Sequence, residues 1–185
     1  MIASMSLIEL GSHICTALAK ANIDVVLSGG SCVQIYSDGA YTSYDLDMIN
    51  RYNDPFKKIK LVMESLGFQE EGKYFTHPDT HYFIEFPPGP LGVGDATVSS
   101  IHEITTSYGV LKLLSATDCI KDRLAAYYIG VMHKASPKPF RLHANTLLIW
   151  MSLKPGHVKK NRCINLSTFV KFSLKRSQVP RSLEK

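Results

Sequence analysis

Residues 28–49 read "SGGSCVQIYSDGAYTSYDLDMI": a Gly-Gly-Ser turn, a short helical run, a second turn at Asp38-Gly39, and a strand that carries two carboxylates, Asp45 and Asp47. The residues that alternate with those acids are apolar, Leu46 and Met48. Side chains on a strand point to opposite faces in turn, so Asp45 and Asp47 project from one side while Leu46 and Met48 take the core side. Two like charges on one face repel each other unless a cation or basic partner sits between them. Mg²⁺, a hard ion that takes oxygen ligands, is the expected neutraliser.

Working outward, "MSLIELGSHICTALAK" (residues 5–20) carries Leu7, Ile8, Ile14 and Leu18 at helical spacing and predicts a first helix, with Gly11 as its weak point. "DVVLS" (residues 24–28) is a β-branched run that predicts a strand ending at Gly29-Gly30. The order around the opening stretch is therefore strand, tight turn, helix, strand. Downstream, "DPFKKIKLVMESLG" (residues 54–67) begins with an Asp cap and a Pro at the first helical position, and predicts a second long helix. "KYFTH" (residues 73–77) and "HYFIEF" (residues 81–86) read as strands, and the prolines of "PPGPLGVG" (residues 87–94) as a loop. "IHEITTS" and "GVLKLLS" (residues 101–107 and 109–115) predict a hairpin, and "ATDCIKDRLAAYY" (residues 116–128) a helix capped by Thr117 or Asp118. The predicted class is α+β, a mixed sheet with helices packed on it. The chain divides into one domain over residues 1–128 and a helical or irregular segment over 129–185.

Glu85 lies in the second apolar strand and supplies a third carboxylate if that strand neighbours the first. Three carboxylates on adjacent strands are a common way to hold one or two divalent ions for in-line attack on a phosphate. The Gly29-Gly30-Ser31 turn is the complement: glycines let backbone approach phosphate oxygens, the following helix offers free N–H groups, and Ser31 adds a hydroxyl. Taken singly, an Asp-x-Asp also reads as a solvated strand end and a Gly-Gly pair as an ordinary turn. In this order they describe a site for a Mg-nucleotide.

With "LSGGS" followed one short helix later by "YDLDM", the sequence resembles the nucleotidyltransferase superfamily, which has the DNA polymerase β-like fold. Within it, residues 5 to 128 look most like small bacterial members of the AbiEii-type group of abortive-infection and toxin–antitoxin systems. The resemblance implies a minimal nucleotidyltransferase fold with Gly29, Gly30 and Ser31 on the triphosphate, Asp45 and Asp47 on the metals, and Glu85 as the third acid. It also implies that Lys121, on the last predicted helix, reaches the nucleotide phosphates; Lys121, Asp122 and Arg123 read equally as a plain polar helix face. The implied partners are an NTP with Mg²⁺, an RNA, protein or small-molecule acceptor, and a cognate toxin or antitoxin.

The formal net charge of +5 conceals an asymmetry: residues 1–122 hold 8 Lys+Arg and 15 Asp+Glu, residues 123–185 hold 13 and 1. From residue 129 the chain runs "IGVMHKASPKPFRLHANTLLIW", basic, proline-broken and without periodicity. Restoring one base after the codon for Tyr128 permits an open frame with acidic residues and helical spacing, so residues 129–185 are expected to arise from a single-base deletion. The competing reading is a basic tail that binds RNA or DNA through phosphates. Cys15, Cys32, Cys119 and Cys163 are widely spaced, which predicts neither a zinc site nor a disulfide framework and favours the reducing cytoplasm. No membrane span is expected. The functional expectation is a Mg²⁺-dependent nucleotidyltransferase; the alternative is a catalytically inactive nucleotide-binding or toxin–antitoxin interaction protein.

Overall fold

The computed structural model describes residues 2–133 apart from 90, 94, 95 and 99. Helix α1 (Leu7–Lys20) opens at a capping box in which the Glu9 N–H donates to Ser6 Oγ (3.4 Å) and the Ser6 N–H donates to Glu9 Oε2 (2.9 Å). Its buried face, Leu7, Leu10, Gly11, Ile14, Cys15 and Leu18, follows the helical repeat. That face packs on strands β8 (Ile101–Thr106) and β9 (Gly109–Leu114). Gly11 has a packing reason: a Cβ there would stand 3.0 Å from Leu111 Cδ1, so the missing side chain is what lets α1 lie close to β9.

Strand β1 (Val25–Ser28) leads into α2 (Gly29–Tyr36), a loop, and β2 (Asp45–Asn50). Helix α3 (Phe56–Ser65) then precedes β3 (Gln69–Glu71), β4 (Tyr74–Thr76) and β5 (Phe83–Glu85). The main sheet has seven strands in the order β3-β4-β5-β2-β1-β9-β8. It is mixed: β2 pairs parallel with β5 and β1 parallel with β9, while β1–β2 and the remaining pairs are antiparallel. All four residues of β1 are buried, which is why this central strand reads as a continuous apolar run without alternation. Leu46, Met48, Ile84 and Phe75 point from neighbouring strands into a core shared with Ile59 and Met63 of α3.

The α+β class and the mixed sheet are as expected, and the local readings need four corrections. Helix α3 starts at Phe56, after Pro55, and Asp54 is not its cap; the Asp54 carbonyl instead accepts from Asn50 Nδ2 at 3.0 Å. The last described helix, α4 (Ala116–His133), is capped by Ser115 and not by Thr117 or Asp118: the Asp118 N–H donates to Ser115 Oγ (3.1 Å), which donates in turn to Asp118 Oδ2 (3.0 Å). Strand β3 was not anticipated, because its three exposed polar residues have no apolar alternation to reveal it. Part of the proline-rich loop is a short strand, β6 (Gly92–Val93), which pairs with β7 (Ala96–Thr97).

Cys15, Cys32 and Cys119 are free and buried, and among the described residues no helix is long and apolar enough to cross a membrane. Residues 134–185, including Cys163 and most of the stretch read as a shifted frame, lie outside the described residues.

Candidate active site

Strand β2 alternates as its sequence requires. Asp45 is exposed and Asp47 half-buried on one face, while Leu46 and Met48 are fully buried on the other. The parallel pairing of β2 with β5 sets Asp45 beside Phe83, Leu46 beside Ile84 and Asp47 beside Glu85. Leu46 and Ile84 share the core face, so Asp47 and Glu85 share the opposite one, with backbones about 4.8 Å apart as adjacent strands are. On its other side β2 pairs with β1, which places Ser28 opposite Asp47. Asp45, Asp47 and Glu85 thus share one face of two neighbouring strands, beside the end of β1 where the glycine turn begins.

The turn is shaped around the Asp47 carboxylate. Gly29 has a φ of +68°, a conformation that side chains disfavour, and a Cβ there would overlap Asp47 Oδ2 and stand 2.8 Å from Asp47 Cγ. Gly30 is tight in the same way, since a Cβ would meet Ser43 Oγ at 2.8 Å. Ser31 is fully buried, and its hydroxyl donates to the Asp45 backbone carbonyl. In this structure Ser31 therefore ties the first residue of β2 to the first turn of α2. The loop between α2 and β2 is closed by further bonds, from the Ser43 N–H to Gln34 Oε1 (2.7 Å) and from the Tyr41 N–H to Ser37 Oγ (3.2 Å).

Burial raises the pKa of Asp47; Arg123 opposes that shift, and the neighbouring charges of Glu85, Asp45 and Asp122 add to it. The main compensating cation thus comes from α4. Arg123 donates through Nε (3.0 Å) and Nη2 (2.7 Å) to Asp122 Oδ2, and Asp47 is among the charges that hold it protonated despite its burial. Lys121, the residue expected at the phosphates, pairs within its own helix, with Nζ 2.8 Å from Oδ1 of the buried Asp118. Sequence reading missed Arg123, because three consecutive polar residues on a helix carry no sign of which one faces the sheet. Glu85 is likewise engaged, by Lys73 at 2.8 Å.

Among the described residues no group of three His, Cys, Asp or Glu side chains stands close enough to form a finished metal centre. The chemistry of the donors nonetheless fits a hard cation. Asp45, Asp47 and Glu85 offer only carboxylate oxygens, and the like charges crowding the half-buried Asp47 are the repulsion such an ion would relieve.

No protein-family model and no curated protein matches the sequence. Among solved structures, an antigenic nucleotidyltransferase-like protein from Paracoccidioides brasiliensis matches with a TM-score of 0.57 at 14% identity, over 92% of this chain and 88% of that one. ANT(2'')-Ia in complex with adenylyl-2''-tobramycin matches with a TM-score of 0.51 at 15% identity, over 89% and 95%. The chain has a nucleotidyltransferase-type α+β fold.

Proposed function

We propose that this chain is a divalent-metal-dependent nucleotidyltransferase that moves a nucleoside monophosphate from an NTP to an acceptor. The observation that carries this reading is the register of β2 with β5, which sets Asp47 beside Glu85 and next to a glycine turn in which a Cβ at position 29 would overlap the Asp47 carboxylate. Asp45, Asp47 and Glu85 would hold Mg²⁺, which when bound neutralises the phosphates and aligns them for attack. Gly29 and Gly30 leave the backbone at the start of α2 bare of side chains, so the triphosphate can approach its N–H groups. Ser31 keeps that turn locked to β2 through the Asp45 carbonyl. Arg123 supplies positive charge for the phosphates; Lys121 could join it only by leaving Asp118. An acceptor oxygen then attacks the α-phosphorus as the bond to the pyrophosphate oxygen breaks.

The acceptor is an RNA, a protein side chain or a small molecule. Support for the last comes from the neighbour solved with adenylyl-2''-tobramycin. An AbiEii-type role beside a cognate toxin or antitoxin in the cytoplasm, with residues 1–128 as the nucleotidyltransferase domain, rests on the sequence resemblance. So does the origin of residues 129–185 in a shifted frame, which reading the encoding DNA tests directly.

Incubation with α-labelled NTPs and pooled acceptors tests the activity. Label should pass to an acceptor with the native protein and not with Asp47→Asn. Calorimetric binding of Mg-ATP or Mg-GTP without any transfer would favour the catalytically inactive alternative.

A further inference from the structure

Glu85 sits at the centre of three strands. It pairs in register with Asp47 of β2 on one side and Tyr74 of β4 on the other, so its carboxylate belongs to the face that carries Asp45 and Asp47. Lys73, in the turn between β3 and β4, reaches back to this face. Its ammonium is 2.8 Å from Glu85 Oε2 and 4.7 Å from the centre of the Tyr74 ring. The ring supports the lysine stem and aims the charge. Exposure of the two partners is unequal, 62% for the Lys73 side chain and 21% for that of Glu85. The lysine can therefore swing into solvent while the carboxylate stays on the sheet.

Resting on the metal-dependent reading above, we infer that Lys73 is a built-in counter-cation of the carboxylate site. Without a divalent ion its ammonium occupies Glu85, and the ion must displace it to gain that ligand, so Lys73 sets the metal affinity. Two like-charged acids side by side on β2 and β5 would otherwise face each other with Arg123, among the described residues, as the cation acting on Asp47. The internal cation balances the charge of Glu85 when no metal is bound. An exposed ion pair is weak, so the competition it offers is modest, roughly threefold to fivefold in metal affinity.

Calorimetric titration of Mn²⁺ into the full chain tests this with four proteins: native, Lys73→Met, Lys58→Met and Asp47→Asn. Methionine at 73 keeps an apolar stem against Tyr74 and removes the charge. Lys58, exposed on α3, is the control for losing one positive charge. The expected result is a dissociation constant roughly threefold to fivefold lower for Lys73→Met, an unchanged value for Lys58→Met, and lost binding for Asp47→Asn. If the native protein binds Mn²⁺, Asp47→Asn does not, and Lys73→Met binds no tighter than native, the inference falls while the metal-dependent reading stands. An equal gain for Lys58→Met also overturns it, by showing a general charge effect. Absence of binding to both the native protein and Lys73→Met removes the metal-dependent reading and the inference with it.

Discussion

Replacing Gly29 with alanine tests whether the turn is built around Asp47. The substitution meets two separate obstacles. Its backbone must keep a φ of +68°, which costs an L-residue about 1–2 kcal/mol relative to glycine. Its Cβ must also displace the Asp47 carboxylate, whose Oδ2 it would overlap and whose Cγ it would meet at 2.8 Å. Pushing a half-buried side chain off its rotamer or shifting the backbone adds about 1–2 kcal/mol. Gly29→Ala should therefore destabilise the protein by about 2–4 kcal/mol in urea unfolding followed by circular dichroism. The two parts separate in an Asp47→Ala background, where only the Asp47 Cβ, 3.1 Å away, remains and the steric part largely vanishes. There Gly29→Ala should cost only about 1–2 kcal/mol, a coupling between the two positions of about 1–2 kcal/mol. Equal costs in the two backgrounds, within about 0.5 kcal/mol, would refute the claim that the turn and Asp47 are in contact.

Asp47→Asn should be more stable than the native protein at neutral pH, because burial raises the pKa of the Asp47 carboxyl and disfavours its charge. For an acid whose folded pKa is raised, the penalty is complete above that pKa and absent below the unfolded value, so the advantage of the asparagine should shrink as unfolding is repeated at progressively lower pH. Arg123→Gln should weaken Mg-ATP or Mg-GTP binding at least tenfold in calorimetry, because it removes the cation whose charge acts on Asp47, whereas Lys121→Gln, removing a lysine that pairs with Asp118 and is not among the charges acting on Asp47, should change it less than threefold. Ser115→Ala removes the cap of α4 and one partner of the Asp118 carboxylate, and should cost about 1–2 kcal/mol in the same unfolding assay.

The parts of the site legible in the sequence are those made by neighbours in the chain. The Gly29-Gly30 turn follows a β-branched run because strand and turn chemistry act over a few residues, and the Asp-Leu-Asp-Met alternation is a local consequence of the pleat. The cap of α4 was equally local and could have been found, since Ser115 stands three residues before Asp118 in a capping-box arrangement. Missing it misassigned the cap, although the predicted start at Ala116 is the observed one. Strand β3 was less accessible: exposed on all three residues, it is held by pairing with β4 and not by its own pattern.

By itself the sequence determined a mixed α/β order, a glycine turn ahead of paired carboxylates, and a core face and a polar face on β2. All of these follow from side-chain period and backbone freedom within one short stretch. Only the tertiary structure decided that β5 pairs in parallel with β2 and brings Glu85 beside Asp47, that Ser31 is spent on the Asp45 carbonyl, and that Arg123 rather than Lys121 is the cation acting on Asp47. Strand order and helix rotation are set by the sum of core contacts over the whole domain. No local pattern around residue 85 or residue 123 records them.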